Sequence, residues 1–579
     1  MLRHKKDTRD YTKRHERRLI NRIASQTLDT AFDEARKRPC IAAWNSNEKT
    51  VEKDISEDNR SPPFQIQNKL HDEQNILQST GTKSKKDINC YTTEHLCMDI
   101  QSNDEQKSSE ESYSLIKSND VNICGDIATW AVNNGISHSS LENLLKLLRH
   151  PNRFPQLPAK AKTLFGNPIN GETRYVEPGY YWHNGLKACL NKLAEENYWD
   201  ESVETLLLSI NIDGLPLFKS SGSCVYPILG SIFCSERIFL IGCYHGYKKP
   251  QDFNNFLQDF VDKTKDLITT GYNYQGKTIK IEIYNLICDA LAKAAVLNVV
   301  SHTGYYSCTK CTVKGNSKLN RVYFTNTQAI LRSNRDFLMQ TQKEHHRGIS
   351  PLTLIPNFGP ISNVPLDYMH VVCLGVMREM LLLWLFGKSH LRRTIIDTIS
   401  EVLLKIKPCI PKEFCRKPRS LEYIKYWKAT EFRQFLLYIG PIALADVLPK
   451  KQYKHFCVLH VAIRILSSPE LVPHYCDYAN ELLKYFVQHF EKIYGDYLVS
   501  HNVHCLIHLA ADVKVYGVLD NFSAFKFENY LQQLKRLIRK ASQSLQQLCR
   551  RYQEIDYVHG IAKKVQKEDI EIKLKFHLS

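Results

Sequence analysis

The sequence predicts a mixed α/β fold with its elements in the order βββαβα, interrupted by a large all-α insertion and preceded by a disordered N-terminal linker. Three observations carry this. Between residues 201 and 312, four apolar runs of strand length alternate with one long amphipathic segment; beyond residue 320 the apolar spacing is helical; and residues 44–121 are Ser, Asn, Asp, Glu, Lys and Gln with few large apolar side chains. Such a composition cannot offset the entropy of ordering a chain.

Taken in order, residues 1–43 form a basic arm in which Arg3, Lys5, Lys6, Arg9, Lys13, Arg14, Arg17, Arg18 and Arg22 outnumber the nearby acids. A solvated helix face and a DNA-contacting or nuclear-import arm fit it equally. Residues 122–200 read as a small helical region. Ile127, Trp130 and Ala131 make one apolar face, Asn134-Gly135 breaks the helix, and Ser139-x-x-Glu142 reads as a capping box opening a second helix with Leu141, Leu144, Leu145 and Leu148 on one side. The pair suits a helix-turn-helix reader, although a plain packing unit is the preferred reading.

Leu206 to Ile212, Tyr226 to Phe233 and Ile238 to Tyr244 read as strands, followed by a helix opened by Pro250, a fourth strand Ile279 to Cys288, and a small-residue helix Ala290 to Val300. This is the order of a ribonuclease-H-like core, in which the first and fourth strands are parallel neighbours; residues 201–312 would form its first part. Residues 313–500 read as the all-α insertion, with helices at Ile395 to Ile406, Phe432 to Ala443, Phe456 to Leu466 and Tyr478 to Tyr494. Residues 501–556 would complete the core, and 557–579 form a tail.

The net charge of +17 and pI near 9.0 favour an anionic partner, nucleic acid first, and say nothing about fold. Eighteen cysteines without framework spacing, after a start with no apolar leader, lead to the expectation of a reduced intracellular protein. No apolar run approaches the ~20 residues of a bilayer span, so a soluble protein without membrane contact is expected. Gly387-Lys388-Ser389 looks like the end of a phosphate loop but lacks Gly at 382, and no His-Glu-x-x-His occurs, so no nucleotide cofactor is expected.

Asp213 and Asp289 end the first and fourth strands, where open α/β sheets place their sites. Paired carboxylates with a third could hold two divalent ions about 3.5–4 Å apart at a phosphodiester; singly, each Asp could merely cap a turn. Cys308-Thr-Lys-Cys311 and His504-x-x-x-His508 together supply a complete Cys2His2 set. His501 falls on the same helix face, which leaves the choice among the three histidines open.

The stretches Ile212-Asp-Gly-Leu-Pro-Leu-Phe-Lys-Ser-Ser, Ile287-Cys-Asp-Ala, Gly304-Tyr-Tyr-Ser-Cys-Thr-Lys-Cys, Pro365-Leu-Asp-Tyr-Met-His and Asp520-Asn-Phe-Ser-Ala-Phe-Lys-Phe-Glu-Asn-Tyr resemble the CACTA-like group of DDE DNA transposases and the transposase-derived proteins of invertebrates. The likeness spans about residues 123–553. The motif order is also similar to that of the vertebrate antigen-receptor recombinase: two Asp, a Cys-x-x-Cys, a His pair, then Glu. The resemblance implies that Asp213, Asp289 and Glu528 bind two Mg2+ or Mn2+ ions, and that Cys308, Cys311, His504 and His508 bind structural zinc, pinning the insertion to the core. It also implies double-stranded DNA as substrate, a homo-oligomer and a nuclear setting. Lys535, Arg536, Arg539 and Lys540 would meet the DNA backbone, Lys535 and Arg539 lying on nearly the face of Glu528. Rivals for the third carboxylate are Glu431, Asp367 beside His370, and Glu344 in Glu344-His345-His346. The rival functions are a catalytically silent, domesticated DNA-binding or regulatory protein and a zinc-dependent scaffold without DNA.

Overall fold

A computed structural model describes residues 123–149, 153–166, 172–200, 202–218, 221–387 and 390–560. The basic arm, the linker, Lys388 with Ser389, and the tail from residue 561 lie outside the described residues.

The centre is a mixed, eight-stranded sheet with strands in the order β1-β2-β6-β5-β3-β8-β7 and the short β4 paired to β5. Its members are β1 (Thr173–Val176), β2 (Gly179–His183), β3 (Thr205–Ile212), β4 (Leu215–Pro216), β5 (Cys224–Ile232), β6 (Ile238–Gly246), β7 (Tyr272–Tyr274) and β8 (Lys277–Ile287). The pair β3 and β8 is parallel, running from Thr205 opposite Lys280 to Asn211 opposite Ile287; the other pairings are antiparallel. Buried Asn211 reinforces the upper end of that pair, its side-chain amide donating to the Ile287 carbonyl at 2.8 Å.

The continuous apolar runs of β3, β5 and β6 reflect burial on both faces. Along β6, Phe239 and Ile241 enter a core shared with Leu190 of α3 (Leu186–Glu195) and with Phe256, Phe260 and Val261 of α4 (Phe253–Thr270). Ile238 and Leu240, and Cys243 beyond the irregularity at Ile241, enter a second core with the C-terminal helices. Helix α4 is capped by Asp252, which accepts from Asn254 N, so the helix opens later than Pro250 suggests. The fourth strand is followed by α5 (Ala290–Val296), shorter than its sequence run because Asn298 turns with φ +52°.

Residues 172–183 correct the reading of 122–200 as wholly helical, since β1 and β2 form a hairpin docked on β6. The helices before it, α1 (Ile123–Asn133) and α2 (His138–Leu148), do flank the Asn134-Gly135 break. The cap of α2 is Ser137, whose hydroxyl accepts from Ser140 N; Glu142 instead accepts from Ala161 N. Ala131, Leu141 and Leu145 are buried in a small core with Phe165 and Val558, whereas Trp130 is exposed.

The C-terminal region is helical apart from a hairpin of β9 (Asn316–Lys318) and β10 (Arg321–Tyr323). A π-helical segment, Met369–Met377, runs into α6 (Arg378–Phe386); α7 (Arg393–Ile406), α8 (Ala429–Gln434) with a π-turn Phe435–Ile439, α9 (Gly440–Leu444), α10 (Lys450–Leu466) and α11 (Val472–Tyr494) follow. Met369–Phe386 is long and apolar enough to cross a membrane by length and composition, and 56% of it is buried inside the protein. Helix α12 (His501–Tyr516) is buried around nearly its whole circumference, as a central helix must be. It is followed by α13 (Phe525–Leu537) and by helical residues 544–560, from which Tyr552 accepts from Leu240 N.

Candidate metal-binding sites

The parallel β3 and β8 deliver Asp213 and Asp289 to one end of the sheet. Asp213 follows β3 directly, and its carboxylate accepts from the next amide, Gly214 N, at 2.6 Å. A Cβ at Gly214 would meet the Tyr226 ring at 2.8 Å, so any larger residue there would have to displace that ring. Asp289 caps α5, its Oδ1 accepting from Ala292 N at 2.6 Å and leaving the other oxygen free of this duty. Glu528 arrives from the first turn of α13, more than three hundred residues after Asp213.

Asp213, His370 and Glu528 each offer a ligand atom, all within 4.8 Å of one another. Asp289 stands outside that tight group yet close enough to act on it. Burial, then the charges of Asp289 and Glu528, push the Asp213 carboxyl up to about 8, and Asp213 shares a hydrogen bond with Glu528. For His370, burial works downward, but the hydrogen bond and charge of Asp367, followed by the charges of Asp213 and Asp289, lift it to about 9. Protons thus compensate a concentration of negative charge that a cation would otherwise neutralise, and the hard oxygen donors fit a divalent ion.

Asp367 is fully buried and saturated. It accepts from His370 Nδ1 at 2.5 Å, from the amides of His370 and Met369, and from Ala524 N at 2.8 Å, the last at the start of α13. It therefore braces the site rather than acting as a third metal carboxylate. Glu431 is also structural: it forms a two-point pair with Arg419 at 2.7 and 2.8 Å and accepts from Lys428 N. His345 Nδ1 bonds the Tyr306 carbonyl at 2.6 Å, and Glu344-His345-His346 belongs to no metal-ligating group among the described residues.

The second group is Cys308, Cys311, His504 and His508, all buried, with ligand atoms again within 4.8 Å of one another. The two Sγ atoms are 3.6 Å apart and Cys311 Sγ is 3.3 Å from His504 Nε2. Tetrahedral zinc with bonds near 2.3 Å to sulfur and 2.0 Å to nitrogen would place such atoms about 3.8 and 3.5 Å apart. His508 Nε2 is buried with no hydrogen-bond partner, as a ligand atom would be. Burial opposes charge on Cys308, yet hydrogen bonds from Cys311, Cys505, His504 and His508 outweigh it and hold that thiol well below its ordinary value, while the bond to Cys308 and burial push Cys311 up. The donor set fits zinc. His501 lies outside it, bonding Ser307 Oγ through Nδ1 at 2.9 Å and contacting Cys505.

A further brace went unread in the sequence. Lys310, between the two cysteines, pairs with Asp512, one turn beyond His508, at 2.7 Å in a buried setting, and Asp512 also accepts from Leu366 N. The i, i+4 row His504, His508, Asp512 was its available signal. His370 was visible only as the i+3 partner of Asp367.

Of the four cations expected to face DNA, Arg539 and Lys540 are not on the helix of Glu528. Helix α13 ends at Leu537, whose carbonyl is taken by Arg551, and Ile538 is extended. Arg539 donates to the Gly135 carbonyl, and Lys535 donates to the Pro216 carbonyl at 2.5 Å. Arg536 and Lys540 are exposed.

No known family model matches this chain, and no curated protein matches it.

Proposed function

We propose that this chain is a DDE-type DNA transposase, or a protein derived from one, built on a ribonuclease-H-like core and acting on double-stranded DNA. The observation that carries the reading is the meeting of Asp213, at the end of β3, with Glu528 from a helix far downstream, while Asp289, at the end of the parallel neighbour β8, lies near enough for its charge to raise the Asp213 carboxyl. A topological edge of this kind is where open α/β sheets hold ligands.

Asp213, Asp289 and Glu528 would hold two divalent ions, Mg2+ or Mn2+. The chemistry such ions would supply there is activation of water or a 3′ hydroxyl and stabilisation of the departing oxygen of a phosphodiester. The protein's own contribution is placement: β3 and β8 fix two carboxylates, Asp367 fixes the start of α13, and α13 presents the third. Cys308, Cys311, His504 and His508 would hold zinc, tying the start of α12 to the loop after α5 and so the helical insertion to the sheet. The net charge of +17 suits a polyanion, with Arg536 and Lys540 as exposed phosphate contacts. A homo-oligomer working in the nucleus completes the proposal.

The test is nicking of duplex DNA by purified protein with Mg2+ or Mn2+. Asp213→Ala, Asp289→Ala and Glu528→Ala are each expected to lower cleavage by at least about a thousandfold, the scale on which catalytic groups that act together fail, while DNA binding persists and weakens with added salt. Cleavage by Asp213→Ala at the unsubstituted rate would sink the reading. Salt-sensitive DNA binding with no nicking under either metal would identify the domesticated, silent alternative.

A further inference from the structure

We infer that His370 is a nitrogen ligand of the cation held by Asp213 and Glu528, making the site a mixed imidazole–carboxylate centre that selects Mn2+ over Mg2+ and Ca2+. The inference rests on the reading above in one respect, that these carboxylates bind a divalent ion.

Three features lead to it. The first is position: a ligand atom of His370 lies within 4.8 Å of those of both Asp213 and Glu528, closer company than Asp289 keeps. The second is the use of the ring's two nitrogens. Nδ1 is committed to Asp367 at 2.5 Å, which leaves Nε2 as the atom available to the cluster. A histidine that binds metal through one nitrogen almost always gives the other to a carboxylate or carbonyl, which sets the tautomer and the ring's orientation. Asp367 is such a carboxylate, with 1% of its surface exposed, and three backbone amides hold it so that it cannot swing away.

The third feature is the backbone. His370 is the second residue of the π-helical segment Met369–Met377. One-turn widenings of this sort are rare and concentrate at functional sites. One carboxylate, Asp367, therefore sets both the imidazole and, through Ala524 N, the helix that presents Glu528. Asp367 is accordingly a positioning residue, acting through His370 and α13.

Facing two carboxylates, a protonated imidazole would stand in for the ion, whereas a neutral one would bind it through Nε2. Imidazole suits transition metals, while Mg2+ and Ca2+ prefer oxygen throughout, so the metal preference follows from the donor set.

The experiment uses full-length, zinc-replete protein titrated with Mn2+, and reads nitrogen-14 coupling to the bound ion by pulsed electron paramagnetic resonance. The expected result is such coupling in the unsubstituted protein, with Mn2+ bound at least about tenfold more tightly than Mg2+. His370→Ala should abolish the coupling and weaken Mn2+ by at least about tenfold, and Asp367→Asn should weaken Mn2+ about tenfold while keeping the coupling. His370→Gln gives the same comparison if alanine loosens the fold. Mn2+ binding that lacks nitrogen coupling and is unchanged by His370→Ala, but is lost in Asp213→Asn, overturns the inference and leaves the carboxylate reading standing. Mn2+ binding unaffected by either substitution overturns both.

Discussion

The sulfur–nitrogen cluster is sealed, with Cys308, Cys311, His504 and His508 all buried, whereas Asp213, His370 and Glu528 are each part-exposed at the end of the sheet. The first is assembled from two local pairs, a Cys-x-x-Cys turn and an i, i+4 pair on α12, and is flanked by the buried Lys310–Asp512 ion pair and the Ser307–His501 bond. The second draws single residues from separate elements, and its like charges oppose one another. Closed sites with every position filled by protein hold structure together, while sites with room at the ion carry out chemistry. Stability should therefore reside in the first cluster and be withheld by the second.

The largest expected effect comes from breaking the sealed cluster. Cys308→Ser should lose zinc, measured as metal per chain, and lower unfolding free energy by about 4 kcal/mol or more. A zinc-free variant with an unchanged denaturation midpoint would collapse the contrast.

The open cluster should respond in the opposite sense. Asp213 has a folded value near 8, above its ordinary 3.8, so without divalent ions the folded state holds a proton there that the unfolded state has released. Its contribution is fully present below about 4 and is lost as pH rises through about 8. His370, lifted to about 9 from 6.5, works in the same direction, losing its contribution as pH rises through that range. Denaturation midpoints of zinc-loaded protein should therefore fall between pH 5 and 9, and Asp213→Asn should flatten that slope. An equal slope in both proteins would show that the Asp213 carboxyl carries none of this pH dependence.

The smallest effect sharpens the edge of the sealed cluster. His501 is half-buried and pushed down to about 4, first by desolvation, and it sits neutral beside Ser307, outside the Cys308–Cys311–His504–His508 group. His501→Ala should cost about 1 kcal/mol, the scale of one hydrogen bond, with zinc per chain unchanged.

Much of this architecture was legible because it is encoded locally. The apolar run ending at Ile212 is followed at once by Asp213, and the alternating run ending at Ile287 is followed one residue later by Asp289, so strand ends and carboxylates could be read together. The pairs Cys308/Cys311 and His504/His508 each announce themselves by spacing. The hairpin of β1 and β2 was hidden because its outward residues, Tyr175 and Tyr180, are aromatic and exposed, which erases the apolar–polar alternation of a half-buried strand. The end of α13 carries no glycine or proline to mark it; Ile538 turns extended and Arg551 takes the Leu537 carbonyl. His370 and Lys310 owe their roles to neighbours more than one hundred and fifty residues away, and no periodicity carries that information.

The wide separation of the two halves of the sulfur–nitrogen cluster also sets a schedule for synthesis. Cys311 leaves the ribosome 193 residues before His504. At about 5–20 residues per second this is a delay of roughly 10–40 s. During that interval the chain carries a cysteine pair without the two histidines that complete the cluster.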